Sequence, residues 1–129
     1  MLSKNIFDKN LIIDGDFSFE GGRKAGLKLL EVIDSVSAVV AANDESALGL
    51  IWELKNRGVK VPEDISVVGI GNIPESKYSY PPLTTISLPI RKIGLQVGSY
   101  LIGVLEDKPQ LDDNYITELS LVERDSVRI

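Results

Sequence analysis

The 129-residue chain contains no cysteine and no histidine. Together these absences exclude thiolate nucleophiles, imidazole general bases, Cys/His zinc sites and serine-histidine triads, and leave only carboxylate or lysine chemistry open. Aromatic residues are scarce at 6%, with a single tryptophan. Positive charge is also in deficit. Fourteen Lys and Arg face 19 Asp and Glu for a net charge of −5, so the chain lacks the field that gives nucleic-acid binders their affinity. No apolar run approaches the length of a membrane span, and none follows Met1 in the manner of a secretion signal, so no membrane partner and a cytoplasmic setting are expected. What is present is ordinary soluble composition, 43% hydrophobic and 26% charged, in a length that suits one domain able to bury a core without disulfide or metal staples.

From Leu11 onward, short apolar runs alternate with segments of helical period, the pattern of βαβ units around a parallel sheet. Residues 11–13 read as a first strand. Ser18 suits the N-cap of a helix carrying Ala25, Leu27, Leu29, Leu30 and Val32, in which Gly21, Gly22 and Gly26 point to close backbone packing. Residues 36–42 form a nearly unbroken apolar run, expected to be a central strand covered on both faces. Asn43, Asp44 and Ser46 open a helix with Ala47, Leu48, Ile51 and Leu54 on one buried face, and Gly58 ends it. A second buried strand is expected at 65–70, a long irregular stretch at 71–83, and a short strand at 84–87. Pro89 then suits the first turn of a helix whose Ile90, Ile93, Val97, Leu101 and Val104 trace one stripe. A final extended segment follows at 115–124.

In an open parallel sheet, ligands bind beyond the carboxyl ends of the strands, where loops splay and helix N-termini converge. That rule picks out Phe17, Asn43 and Asn72. An aromatic face beside amide and carboxylate groups suits a polyhydroxylated ring, the aromatic covering C–H surface while polar groups bond hydroxyls. Each residue also has a plainer reading. Phe17 suits a hydrophobic staple, Asn43 or Asp44 a helix cap, and Asn72 a left-handed turn. Tyr78, Tyr80 and the adjacent Pro81 suit loop packing or a partner surface, and Trp52 a partly buried edge or an interface contact. Gly69-Ile70-Gly71 lacks the third glycine of a dinucleotide fingerprint, and no Walker-type lysine follows a glycine loop. Glu20, Asp44 and Glu63 form no defensible acid and base pair. No catalytic residue, metal or cofactor is therefore expected.

Three separated strings then carry a resemblance. Ala41-Ala42-Asn43-Asp44-Glu45-Ser46-Ala47-Leu48-Gly49, Val61-Pro62-Glu63-Asp64-Ile65-Ser66-Val67-Val68-Gly69 and Pro81-Pro82-Leu83-Thr84-Thr85-Ile86 resemble the signature series of the LacI/GalR family of bacterial transcription regulators. Asp14-Gly15-Asp16-Phe17-Ser18 fits the segment that precedes them, and order and spacing agree from about Asp14 to the final strand. The resemblance implies the C-terminal lobe of a two-lobed effector domain of the type I periplasmic-binding-protein-like fold. It divides the chain into a lobe core at 11–87, a crossover helix at 88–108 and a last strand at 115–124, all within one truncated effector-binding domain spanning 1–129. A helix-turn-helix DNA head and nearly all of the N-terminal lobe would have no counterpart here. Residue by residue, Phe17 matches an aromatic position that stacks on the effector and Asn43 an asparagine of the cleft, while Leu48 and the 78–82 loop match regions that build a homodimer. Gly71 stands where an aspartate commonly bonds the ligand. Either Asn72 substitutes for it, or the ligand is atypical, or the response to effector is altered.

The function expected on this basis is effector sensing, for a small carbohydrate, in a repressor whose operator-DNA contact lies elsewhere. Half a cleft is expected to bind effector poorly. The helix stripe from Ile90 to Val104, lacking its usual cover, is expected to drive self-association. A lobe of a periplasmic sugar-binding protein and a small flavodoxin-like enzyme using carboxylates are the alternatives.

Overall fold

Ser18 opens the first helix as its sequence context predicts: its hydroxyl accepts the Gly21 N–H at 2.9 Å, and α1 runs over Phe19–Leu29. The computed structural model, which describes residues 8–107 and 118–128, continues with β1 (Ala38–Val40), α2 (Asp44–Asn56) and β2 (Ser66–Gly71). The short helix α3 (Pro74–Tyr78), β3 (Thr84–Ser87), α4 (Ile90–Leu105) and β4 (Ser120–Val122) complete it. Strands β1, β2 and β3 pair in parallel in that order, with Val40 opposite Val68 and Gly71 opposite Ser87. β4 joins β3 antiparallel, Ser87 facing Ser120, so an otherwise parallel sheet gains one antiparallel strand. This is the expected α/β class, a sheet flanked by helices.

The glycines of α1 explain how the two main helices meet. A Cβ on Gly22 would overlap the Ser46 carbonyl of α2, and one on Gly49 would overlap the Phe19 carbonyl of α1, so each backbone presses against the other where no side chain stands. Leu29, Leu50, Ile51 and Leu54 of these helices close over Ile65, Val67 and Leu83 of the strands and their approaches. Each such side chain contributes about 1.5 to 3 kcal/mol by leaving water. An ion-pair cluster crosses the same interface: buried Glu53 of α2 receives Arg23 Nη2 of α1 at 3.2 Å and Arg57 Nε at 3.0 Å. Burial pushes the Glu53 carboxyl up, but the Arg57 and Arg23 hydrogen bonds and charges outweigh it and hold the group below its ordinary value. Gly58 ends α2 with φ of +80°, a conformation other residues adopt at a cost.

Two expectations are corrected at the start of the sheet. Residues 11–13 form no strand. The Asp8 carboxylate accepts the Asn10 N–H, and Leu11 and Ile12 donate back to Asp8 and Lys9, so a 3-10 turn over Lys9–Leu11 consumes amides that strand pairing would use. Consequently the run at 36–42, expected to be central, contributes a three-residue strand at the sheet edge, and Val40 is 70% exposed. The irregular stretch at 71–83 contains α3. No residue of α4 is buried, and Ile90, Val97, Leu101 and Val104 of its predicted stripe are all exposed. Residue 108 of the expected crossover helix and residues 115–117 of the expected last strand lie outside the described residues.

Candidate functional site

The carboxyl ends of β1 and β2 and the loop before α1 meet through two hydrogen bonds. Asn43 is the N-cap of α2: its side-chain oxygen accepts the Ser46 N–H at 3.0 Å, while its Nδ2 donates to the Phe17 carbonyl at 2.7 Å. One amide therefore caps a helix and fixes the neighbouring loop. Phe17 sits there with φ of 62°, a left-handed conformation uncommon for an aromatic residue, and the residue is 64% exposed. The loop is stiffened from the other side by Asp16, whose carboxylate accepts the Ser18 hydroxyl at 2.6 Å and the Ser18 N–H at 3.1 Å. Those two bonds favour the ionised form and hold the Asp16 carboxyl below its ordinary value.

Asp44, expected as a helix cap, does something else. It is fully buried, and its carboxylate accepts the Ile73 N–H at 2.9 Å and the Thr85 hydroxyl, joining the start of α2 to the loop after β2 and to β3. The next residue back, Asn72, turns the chain with φ of 54° after Gly71 at 134°. Its side chain is engaged at both ends: Nδ2 donates to Ser87 Oγ at 3.3 Å, and Oδ1 accepts Arg124 Nη2 at 2.7 Å. Asn72 thus matches its plainer reading as a left-handed turn, and among the described residues its Nδ2 uses one of its two hydrogens. Phe17 and Asn43 are in direct contact, and Asn72 is tied to them through its neighbour Ile73 and Asp44. The Asp44 bridge and the Arg124 clamp were not foreseen. A single aspartate and a single arginine 80 positions apart carry no spacing signal that would have paired them with one loop.

Beneath Phe17 lies an apolar groove of about 490 Å³ between residues 11–15, α1 and the free edge of β1, lined by Ile13, Leu29, Val39 and Leu50 among others. A second groove crosses α2 and α3. Leu48, Trp52, Tyr78 and Tyr80 line it, with Phe19 edge-on to Trp52 at 6.5 Å and the Arg23 guanidinium 4.2 Å from the indole centroid. Tyr78 and Tyr80 are 77% and 79% exposed, and Lys55 Nζ stands 4.6 Å over the Tyr80 ring. Pro81 lines a neighbouring depression together with Tyr80. The four residues expected at a partner surface therefore occupy one side of the molecule, joined by Trp52. Among the described residues, no group of three or more acidic side chains is placed to hold a metal ion, and no helix is long and apolar enough to cross a membrane.

Comparison with known proteins identifies this arrangement. The periplasmic binding protein-like domain family matches residues 2–127. Over 126 residues the chain is 36% identical to the HTH-type transcriptional repressor PurR of Vibrio atlanticus (strain LGP32), a match spanning 98% of this chain and 38% of that protein. Among solved structures it superposes on the transcriptional regulator CelR–cellobiose complex with a TM-score of 0.86 and 29% identity, covering 93% of this chain and 37% of that one. It superposes on the lac repressor dimer bound to operator and the anti-inducer ONPF with a TM-score of 0.77 and 32% identity, covering 88% and 39%. The chain belongs to the periplasmic binding protein-like domain family. Within it, the chain has the effector-domain form of LacI/GalR transcriptional regulators, as its three sequence strings imply, and these relatives are regulators and not enzymes. It spans well under half the length of each of these relatives.

Proposed function

We propose that the chain forms one wall of an effector cleft in a LacI/GalR-type regulator, and that the effector is a small carbohydrate. The observation that carries this reading is the Asn43 amide bonded to the Phe17 carbonyl, which brings an exposed aromatic face and two polar strand-end loops to one rim. Asn43, the remaining N–H of Asn72 and the anionic Asp16 nearby offer hydrogen bonds to a hydroxylated ring held against Phe17. The guanidinium that reaches this loop, Arg124, is already bound to Ser76, Leu83 and Asn72, which argues against an anionic effector. The CelR structure, solved as a cellobiose complex, is a relative with this ligand class.

In the complete regulator the sugar would bridge this lobe to a second one and stabilise one relative orientation of the two. Leu48, Tyr78, Tyr80 and Pro81 would form the homodimer surface that transmits the preference. The lac repressor was solved as a dimer on operator DNA, and contact with DNA in the cytoplasm would be made by a part of the regulator outside this acidic chain.

Calorimetry tests the wall directly. With one wall only, the 129-residue chain is expected to show no micromolar binding to a panel of mono- and disaccharides; the regulator carrying both lobes is expected to bind one of them. There, Phe17→Ala should weaken binding by about tenfold or more through loss of stacking area. Unchanged affinity in that variant, or micromolar binding by the single lobe, defeats the proposal.

A further inference from the structure

Arg124, just beyond β4, holds three partners at once. Its Nη2 donates to Asn72 Oδ1 at 2.7 Å, and its Nη1 donates to Ser76 Oγ at 3.0 Å and to the Leu83 carbonyl at 2.6 Å. The arginine's own backbone is anchored, its N–H donating to Thr84 Oγ1 at 2.9 Å and its carbonyl accepting the same hydroxyl at 3.1 Å. The guanidinium is therefore a fixed fork, one arm on the loop after β2 and the other on α3 and the approach to β3. Ser76 is fully buried and faces this fork, while Pro74, Glu75 and Tyr78 of the same short helix line the aromatic groove. One side of α3 is tied to the rim through Arg124; the other side builds the surface carrying Leu48, Trp52 and Tyr80.

We propose that Arg124 is a positioning residue that couples the Asn72 rim to α3, so that whatever turns or captures the Asn72 amide oxygen frees one arm of the fork and loosens the helix. The inference rests on Asn72 as part of the effector wall, and it adds the route by which occupancy there reaches the partner surface. A planar fork with two arms suits this use, because its orientation is set by both acceptors together: loss of one lets the plane swing and weakens the bonds that remain. Ser76 Oγ also donates to the Ile73 carbonyl at 2.6 Å, and Leu83 N–H donates to the Ser76 carbonyl at 2.8 Å, so a shift at the fork acts on both ends of α3's anchorage.

The test needs no ligand. Amide hydrogen exchange is followed by NMR at Ser76 and Leu83, both fully buried, in four forms of the 129-residue chain. Asn72→Gly removes the acceptor while tolerating the left-handed φ; Asn72→Asp keeps an oxygen for Nη2; Ser87→Ala removes only the other side-chain bond of Asn72. Asn72→Gly is expected to speed exchange at Ser76 and Leu83 by about tenfold, with Asn72→Asp and Ser87→Ala within about threefold of the parent. Exchange in Asn72→Gly that stays within about twofold of the parent overturns the coupling, as does equal acceleration by Ser87→Ala or failure of Asn72→Asp to restore protection. The sugar titration fails separately: a silent panel with the expected exchange pattern removes the ligand reading and keeps the coupling, whereas flat exchange removes the coupling whatever binds.

Discussion

Removal of the Asp44 carboxylate should be among the most damaging single changes in this chain. The side chain is 0% exposed and accepts the Ile73 N–H and the Thr85 hydroxyl, itself on a fully buried residue. In Asp44→Ala both donors lose the carboxylate that accepts from them. Hydrogen bonds to a charged group are worth roughly 1.5 to 3 kcal/mol each, so the loss of two amounts to about 3 to 6 kcal/mol. A domain of this size has about 5 to 15 kcal/mol in total, so the variant should lie near the edge of folding. Asp44→Asn preserves the shape, can still accept from Ile73, and can turn its amide toward a Thr85 hydroxyl that now accepts; about 1 to 2 kcal/mol should be lost. Urea unfolding followed by the fluorescence of Trp52, the single tryptophan, measures both at fixed protein concentration. With a slope of about 2 kcal/mol per molar, Asp44→Ala should lower the midpoint by about 2 M and Asp44→Asn by less than 1 M. A midpoint for Asp44→Ala within about 0.5 M of the parent, or equal losses in the two variants, would refute the bridge as a source of stability.

Gly22→Ala drives a methyl into the Ser46 carbonyl, a backbone group that cannot rotate away, so despite alanine's helix preference the overpacking should cost about 3 kcal/mol or more and lower the thermal midpoint by about 10 degrees or more in calorimetry. Acid should destabilise the chain in a defined window. Asp16 and Glu53 both have carboxyls held below their ordinary values of 3.8 and 4.5, so the unfolded state takes up protons first as pH falls. The stability they contribute is therefore complete above those values and is lost progressively below them. Circular dichroism melts between neutral pH and pH 3 check this, and Glu53→Gln should flatten that part of the profile. At the exposed face of α4, Leu101→Glu should shift sedimentation of the concentrated chain toward monomer, with Leu48→Asp acting independently at the aromatic groove; unchanged sedimentation in both removes the two surfaces as sites of self-association.

The helices were largely legible because their determinants are local. Ser18 three residues before Gly21, Asn43 three before Ser46, and Gly58 after the last buried leucine each specify a helix end within one turn. The strand at 66–71 was legible as an apolar run that two neighbours cover. The run at 36–42 carries the same signal yet has one neighbouring strand among the described residues, since strand pairing depends on a second segment and the turn over Lys9–Leu11 withdraws it. At the rim, Phe17 and Asn43 could be grouped from strand ends alone. The destination of the Asn72 amide could not, because Arg124 reaches it through tertiary packing from 52 positions away. The same limitation hid the change of role at Asp44, whose helix-opening position looks identical whether the carboxylate turns back to its own helix or out to Ile73.

Ser126 carries a consequence for synthesis on the ribosome. Its buried hydroxyl accepts the Thr84 N–H at 2.8 Å and donates to the Val67 carbonyl at 2.6 Å, and its own carbonyl accepts the Val67 N–H. Strands β2 and β3 are thus fastened by a residue translated 42 and 59 positions after the groups it joins. Until that residue clears the exit tunnel, the emerging lobe holds an unlatched sheet with unpaired backbone groups, the kind of intermediate that chaperones hold and proteases clip. Stalling translation on appended linkers of two lengths, one that keeps residue 126 inside the tunnel and one that lets it out, and comparing protease resistance of the nascent chains, would time the moment at which the latch closes.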